Sequence, residues 1–288
     1  LRAANPRLVY CAISGYGQSG PNIGLPASDS VMQAYGGFMS IIGEEGSSPL
    51  RVANIVSDML SGTNAFASVL LALVRRAETG AGGEVSTCLL DSIIGFQAAI
   101  FSEYLVTGEL PRRRGNRHPL IAASGVFKAS DGYVAFTVLD HYWRTFCDTM
   151  GLGHLLADPR FATSETRQQH RTDVADAFQQ AVAQRTVQEV LDLLGEQGVL
   201  CAPVQDYAAL TRDPQVLHNQ LLSRLQLPNG HTVPMVRPPM TVDGPARVWT
   251  APPSLGQHSV QILRDDLGLA PAQIDALLTR KAVVAVAA

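Results

Sequence analysis

A chain of 288 residues with 46% hydrophobic and only 16% charged positions has enough apolar material for a sizeable core. That excludes a disordered polymer and sets the expectation of a compact soluble protein of two lobes. The net charge of −3, with both signs interspersed, argues against nucleic acid as the main partner.

Only Lys128 and Lys281 are lysines, so positive charge is nearly all arginine, which suits carboxylate or phosphate recognition. Cys11, Cys88, Cys147 and Cys201 lie far apart, with no CxxC pair and no histidine at metal spacing. They read as buried thiols in a reducing cytosol, without a zinc site. No apolar run is read as approaching the ~20 residues that span a bilayer, so no membrane is expected. The opening LRAANPRLVYCAIS lacks a signal peptide's apolar segment and begins without Met, which sets the expectation of a piece of something longer.

In chain order, Arg7–Ser14 is a β-branched and aromatic run, expected to be a buried strand, and GYGQSGP (Gly15–Pro21) breaks it with three glycines. A short helix is expected to start after Ser28 or Asp29, with Asp29 as its cap. In the long helix that follows, Phe66, Val69, Leu70, Leu73 and Val74 form one apolar stripe at helical period. Arg75 and Arg76 suit its last turn, and Gly80 its end. Glu84–Leu90 reads as a strand, and Asp91 as the cap of a helix reaching Thr107. This order of strands and helices predicts an α/β layering.

GELPRRRGNRHP (Gly108–Pro119) marks an exposed linker. Gly125–Lys128 and Tyr133–Val138 flank the turn ASDG as a hairpin. Asp140 is expected to cap a helix with Trp143, Phe146, Cys147 and Met150 on one face, and one helix to run from about Ser164 to Gln184. Thr186 and Glu189 form a capping box with Val190, Leu191 and Leu194 inward. VLCAPV reads as an edge or kinked strand, because it carries a proline. Leu221–Leu227 and His231–Met235 pair across PNG. Two last helices follow Gly256 and Pro271. The expected divisions are 1–107 as the catalytic part of a large α/β lobe, 108–124 as linker and lid, 125–236 as a small α+β lobe, and 237–288 as a segment returning to the large lobe.

Asp58 stands at the start of the long helix beside Ser57, Ser61 and Gly62. Two readings are open on spacing alone. It is a helix cap, or it is a carboxylate nucleophile kept ionised by the helix field, with N–H groups ready for developing negative charge.

Six stretches carry a resemblance along the whole chain: NPRLVYCAISGYGQSGP, RVANIVSDMLSG, TGAGGEVSTCLLD, RRRGNRHPLIAASGVFKASDGYVAF, GVLCAPV and PPSLGQHSVQIL. Together they resemble the class III CoA-transferases, the group around formyl-CoA transferase and carnitine CoA-transferase. The resemblance implies a Rossmann-like large lobe, present here in part, and a smaller α+β lobe. It implies that Asp58 attacks an acyl-CoA thioester, forming first a mixed anhydride and then an enzyme–CoA thioester that passes CoA to an acceptor acid. Acyl-CoA and a carboxylic acid are then the substrates, and no tightly bound cofactor is required. Pro26, Ala27, Ser28 and Asp29 match a segment lining the CoA site, with small residues Ser57, Ser61 and Gly62 making room for the thioester. Asn116, Arg117, His118, Pro119, Ile121 and Ala122 match a lid loop over the acyl group. That loop is glycine-rich in formyl-CoA transferase, and here Pro119, Leu120, Ile121 and Ala122 replace the glycines, which points to an acid less polar than oxalate or formate.

The racemase branch, around α-methylacyl-CoA racemase, places a histidine where Ser28 stands, and serine does not titrate near neutrality, so racemase is the runner-up. The resemblance also implies an interlocked homodimer and an N-terminal Rossmann-like half, which does not precede Leu1. A non-catalytic subunit needing that half is a third alternative. His118 is a candidate for substrate contact. His258 is expected to be a structural cap, and the other histidines to have surface or packing roles.

Overall fold

The computed structural model describes residues 1–227, 229–240 and 250–285. It divides into two compact units, Leu1–Val204 and Gln205–Ala288. The hairpin at 222–236, which the sequence reading placed with the small lobe, therefore belongs to the second unit. Pro228 of its turn and residues 241–249 of the tail linker lie outside the described residues.

The first unit opens with β1 (Val9–Ser14) and β2 (Gly83–Cys88), which pair in parallel from Val9↔Gly83 to Ser14↔Cys88. Between them come α1 (Asp29–Tyr35) and α2 (Val56–Thr79), a crossover as parallel pairing requires. α2 packs on β1, β2 and α3 (Leu89–Phe96) through Ser57, Ser61 and Ala65, which are spaced four apart and buried.

The expected stripe is split, since Val69 and Leu73 are half-buried and its other members are exposed. Phe66, Leu70 and Val74 are 50%, 46% and 60% exposed, and Leu71 is 72% exposed. The inward face is built of small side chains because they let the helix backbone lie close to the strands. α2 also overturns the reading that no apolar run approaches membrane-spanning length, since by length and composition it passes that test. One such helix is weak evidence of a membrane.

The helix expected from Asp91 to Thr107 is two helices, α3 and α4 (Ala98–Thr107), bent by 72°. Asp91 does not cap it: the chain turns helical at Leu89, and the Cys88 sulfur accepts the Asp91 amide instead. At the bend the Gln97 side-chain amide donates to the carbonyls of Gly36 (2.9 Å) and Ile93 (2.8 Å). Gly36 is required there, because a Cβ would come within 2.4 Å of Ile93 Cγ2 and 2.9 Å of the Met32 carbonyl oxygen.

The rest of the first unit surrounds an antiparallel sheet of β3 (Ser124–Lys128), β4 (Tyr133–Thr137) and β5 (Leu200–Pro203), in the order β3-β4-β5, with Pro203 on the edge strand as expected. Its helices are α5 (Trp143–Met150), α6 (Gly153–Leu156), α7 (Ser164–Gln169), α8 (Arg171–Ala183) and α9 (Val187–Gly195). One apolar cluster spans Ala123–Val199, with Phe178 fully buried against Phe127, Phe136 and Phe146. The Thr186–Glu189 capping box is present. Two expectations change. The helix from Ser164 breaks at His170, the residue that closes α7 and precedes α8. Asp140 does not cap α5, because its carboxylate pairs with the buried guanidinium of Arg167, which also lies over the Trp143 ring.

The second unit contains α10 (Tyr207–Leu210) and α11 (Pro214–His218), capped by Asp206 and Asp213. The hairpin of β6 (Leu222–Gln226) and β7 (Thr232–Val236) follows, then α12 (Ser259–Gln261) and α13 (Pro271–Thr279), with Ile274 buried. His258 precedes α12 but makes no capping bond through its side chain.

Candidate active site

The parallel strands and α2 fix where Asp58 lies. At the far end of the helix, Arg76 donates to the Arg7 carbonyl (3.3 Å), Arg7 donates to the Gly80 carbonyl (3.1 Å), and the Gly82 amide donates to the Pro6 carbonyl (2.9 Å). The last turn of α2 therefore sits at the start of β1. The helix runs antiparallel to both strands and is longer than they are, at roughly 36 Å for 24 residues. Its first turn, with Asp58, lies beyond the carboxyl ends of the strands, the side on which open α/β sheets bind ligands.

Two loops meet at that end. β1 runs into the glycine loop, whose Gly15 carbonyl accepts the Leu90 amide (3.1 Å). A Cβ on Gly15 would come within 2.2 Å of the Ala27 Cβ, so only glycine lets the loop pack on the 26–29 segment. Pro26, Ala27 and Ser28 are exposed and accessible to a ligand, whereas Asp29 is 5% exposed.

The Asp29 carboxylate is engaged with protein. One oxygen accepts the Ser57 amide and the Ser57 hydroxyl, both at 2.8 Å, and the other accepts the Gln33 side-chain amide at 2.7 Å. Asp29 is thus a cap, but of α2, whose own preceding residue Ile55 offers no acceptor. It does not cap α1, as the sequence reading had it.

Gln33 is fully buried. It donates to the Asn54 and Val52 carbonyls (3.1 and 3.3 Å) and accepts the Val52 amide (3.1 Å), pinning the chain that leads into α2. Ser61 donates to the Ser57 carbonyl at 2.7 Å. Ser57 and Ser61 therefore face the interior and do not open space for a ligand, while Gly62 is exposed. Asp58 projects to solvent from the same turn, with no side-chain hydrogen bond or ion pair among the described residues. The arrangement presents a free carboxylate at a helix N-terminus, on a backbone fixed from below.

The expected lid is held by protein at both of its ends. The Gly115 amide donates to the Gly43 carbonyl (2.8 Å), and Arg113 to the Ser40 and Ser47 carbonyls. His118 Nδ1 accepts the amides of Leu120 and Ile121, each at 3.1 Å, which gives its ring a local structural role. Arg171 donates to the His118 carbonyl (2.7 Å), and Gln168 to the Pro119 carbonyl (2.9 Å), fastening the segment to the α7–α8 junction. Asn116 and Arg117 are exposed, and Ile121 and Ala122 line a cavity of about 280 Å³ with Asp140 and Arg167. No hydrogen bond or ion pair among the described residues joins 116–122 to Asp58 or to Pro26–Asp29.

The sequence reading missed Gln33, Arg167 and Arg171. Gln33 had a local signal, since Asp29 and Gln33 are four apart on one helix face. Both arginines act through distant partners. No group of three or more His, Cys, Asp or Glu side chains placed to hold a metal occurs among the described residues.

The chain is 31% identical over 267 residues to the succinate–glutarate CoA-transferase of Agrobacterium fabrum, covering 92% of this chain and 67% of that one. It is 33% identical over 224 residues to the acetyl-CoA:oxalate CoA-transferase of Acetobacter aceti, covering 77% of this chain and 58% of that one. A crystal structure of a CAIB/BAIF family protein from Brucella suis superposes with a TM-score of 0.79 at 30% identity, covering 92% of this chain and 69% of that one. The chain thus spans roughly three fifths to two thirds of the length of these relatives. The sequence model of CoA-transferase family III matches residues 1–259, and with that coverage the chain belongs to CoA-transferase family III.

Proposed function

We propose that this protein is an enzyme that moves coenzyme A from an acyl-CoA thioester to a carboxylic acid, with Asp58 as nucleophile. The observation that carries the reading is a free carboxylate in the first turn of α2, at the carboxyl end of the parallel strands, with its turn fixed by the buried Asp29–Ser57 contact. The Asp58 carboxylate attacks the thioester carbonyl, and the C–S bond breaks to release CoA thiolate, leaving an acyl–aspartyl anhydride. The thiolate then attacks the aspartyl carbonyl and expels the donor acid as a carboxylate, giving an aspartyl–CoA thioester. The acceptor carboxylate repeats the sequence in reverse and departs as its own CoA thioester, so no net proton, electron or metal ion is exchanged. The positive end of the α2 dipole favours the negative charge that develops at each addition.

Pro26, Ala27 and Ser28 offer exposed backbone beside Asp58 for the thioester. Segment 116–122 supplies an apolar cover, with Pro119, Leu120, Ile121 and Ala122 in place of glycines. The relatives named above act on glutarate and oxalate, so a dicarboxylic acid is the first acceptor class to assay. Ser28, which stands where the racemase branch carries a histidine, disfavours proton shuttling at C2.

Incubation with a panel of acyl-CoAs and hydroxylamine, followed by intact-mass and peptide mapping, tests the reading. A hydroxamate on Asp58 that disappears in Asp58→Ala is expected, with transfer rate lowered roughly a thousandfold or more. A CoA-binding protein that forms no adduct, or one whose adduct persists in the variant, would sink the Asp58 mechanism.

A further inference from the structure

The arginines of the RRRGNRHP stretch, Arg114 and Arg117, converge with Arg171 at the start of α8. Together with Thr172 they line a cavity of about 400 Å³ whose remaining walls are Arg112, Glu44, Glu45 and Glu109. Like charges lining one cavity repel, and the repulsion is normally relieved by carboxylates. Here the ion pair present is Arg112–Glu45, at 3.9 Å between two exposed side chains. Among the described residues no carboxylate oxygen comes within ion-pair distance of Arg114, Arg117 or Arg171. These three donate to neutral acceptors: Arg114 to the Pro119 carbonyl (3.3 Å), Arg117 to the Thr172 hydroxyl (3.5 Å), and Arg171 to the His118 and Pro119 carbonyls (2.7 and 3.4 Å). Each guanidinium carries five N–H donors, so most of the donors remain to be used.

We propose that this cavity is a binding site for a compact dianionic oxyanion, either a phosphate group or a short dicarboxylate. Three guanidiniums supply forked donors matched to such oxygens. Thr172 lies in the first turn of α8, a helix of 13 residues whose amino end adds a favourable field. The Arg171 guanidinium is held below its ordinary value, first by burial and then by the charges of Arg114 and Arg117, with Glu45 opposing them. A bound anion would offset both. The site requires nothing of Asp58 and shares Arg117 with the 116–122 segment.

Calorimetric titration of the whole chain with inorganic phosphate, and separately with glutarate, at ionic strength held constant with chloride, tests the proposal. One of the two anions is expected to bind saturably with one-to-one stoichiometry, which also identifies the source. Arg117→Gln and Arg114→Gln are each expected to weaken binding roughly tenfold. Arg117→Lys keeps the charge but loses the fork, and falls between. Asp58→Ala leaves the affinity unchanged. All three arginine variants alter partly or fully exposed side chains, and circular dichroism confirms that each remains folded. Absence of saturable binding by either anion, or equal binding in the folded arginine variants, would overturn the site.

Discussion

Asp29 shows how one carboxylate can fix the backbone turn that carries another. Its two oxygens satisfy the Ser57 amide and hydroxyl and the Gln33 amide, all buried. Asp29→Ala leaves the buried Ser57 amide without an acceptor and reduces the Ser57 hydroxyl and the Gln33 amide to backbone carbonyls, and stranded buried donors cost more than their bonds contribute when made. The expected loss is about 3 kcal/mol of unfolding free energy, measured by urea titration. A loss below ~0.5 kcal/mol would show that solvent reaches this network. A second residue-scale expectation concerns Cys147, which burial pushes up to about 12. At pH 8 it stays a protonated thiol, and with Cys88, also raised by burial, it should resist iodoacetamide in the native chain while Cys11 reacts. Because the folded value is raised, Cys147 contributes stability that is fully present below the unfolded thiol value and is lost as pH climbs from about 9 to about 12. Native-state labelling of Cys147 at the rate of Cys11 would contradict its burial.

Elements in this fold are positioned by close approaches as much as by periodicity. Gly36 ends α1 against α3 with ordinary backbone angles, φ −77° and ψ 9°, so its requirement is purely steric. Gly36→Ala must displace Ile93 or the turn itself, and overpacking of this kind costs about 1–3 kcal/mol. A shift in urea midpoint without a change in slope would register it, whereas an unchanged midpoint would mean the α1–α3 contact yields freely. The same physics separates what the sequence disclosed from what it hid. The Ser124–Lys128 and Tyr133–Thr137 hairpin, the Thr186–Glu189 box and the edge proline Pro203 were legible, because their determinants lie within a few residues of one another. The breaks at Gln97 and His170 were not, since no proline or glycine marks them and tertiary contacts decide the path. The α2 stripe was misread for a related reason. Periodicity finds the large apolar face, but Ser57, Ser61 and Ala65 were chosen for nearness to the sheet. Asp58 was legible as a helix-start carboxylate. Its support by Asp29 and Gln33 was not, because it joins residues 28 apart or lies beneath the loop at 52–54.

At the scale of the molecule, the consequence of that inversion is an apolar surface facing outward. Phe66, Leu70, Leu71 and Val74 recur on successive turns of a helix that carries no charge between Asp58 and Arg75. Single exposed apolar side chains are ordinary, but a contiguous row marks a surface that other protein covers. We propose that a second copy of the chain contributes to that cover, in keeping with the homodimer implied by the resemblance drawn from the sequence. Leu71 is the sharpest probe because it is 72% exposed and plays no part in the inward face of small residues. Placing a carboxylate there costs nothing in the isolated helix beyond a small change in propensity, yet a carboxylate would have to be desolvated in any apolar interface, at several kcal/mol. Light scattering over a concentration series is therefore expected to show association of the native chain, and Leu71→Glu is expected to shift it toward the monomer while the far-ultraviolet circular dichroism stays the same. A native chain that remains monomeric throughout the series would remove self-association as the reason for this face. A variant that associates as strongly as the native chain would place the contact on some other surface.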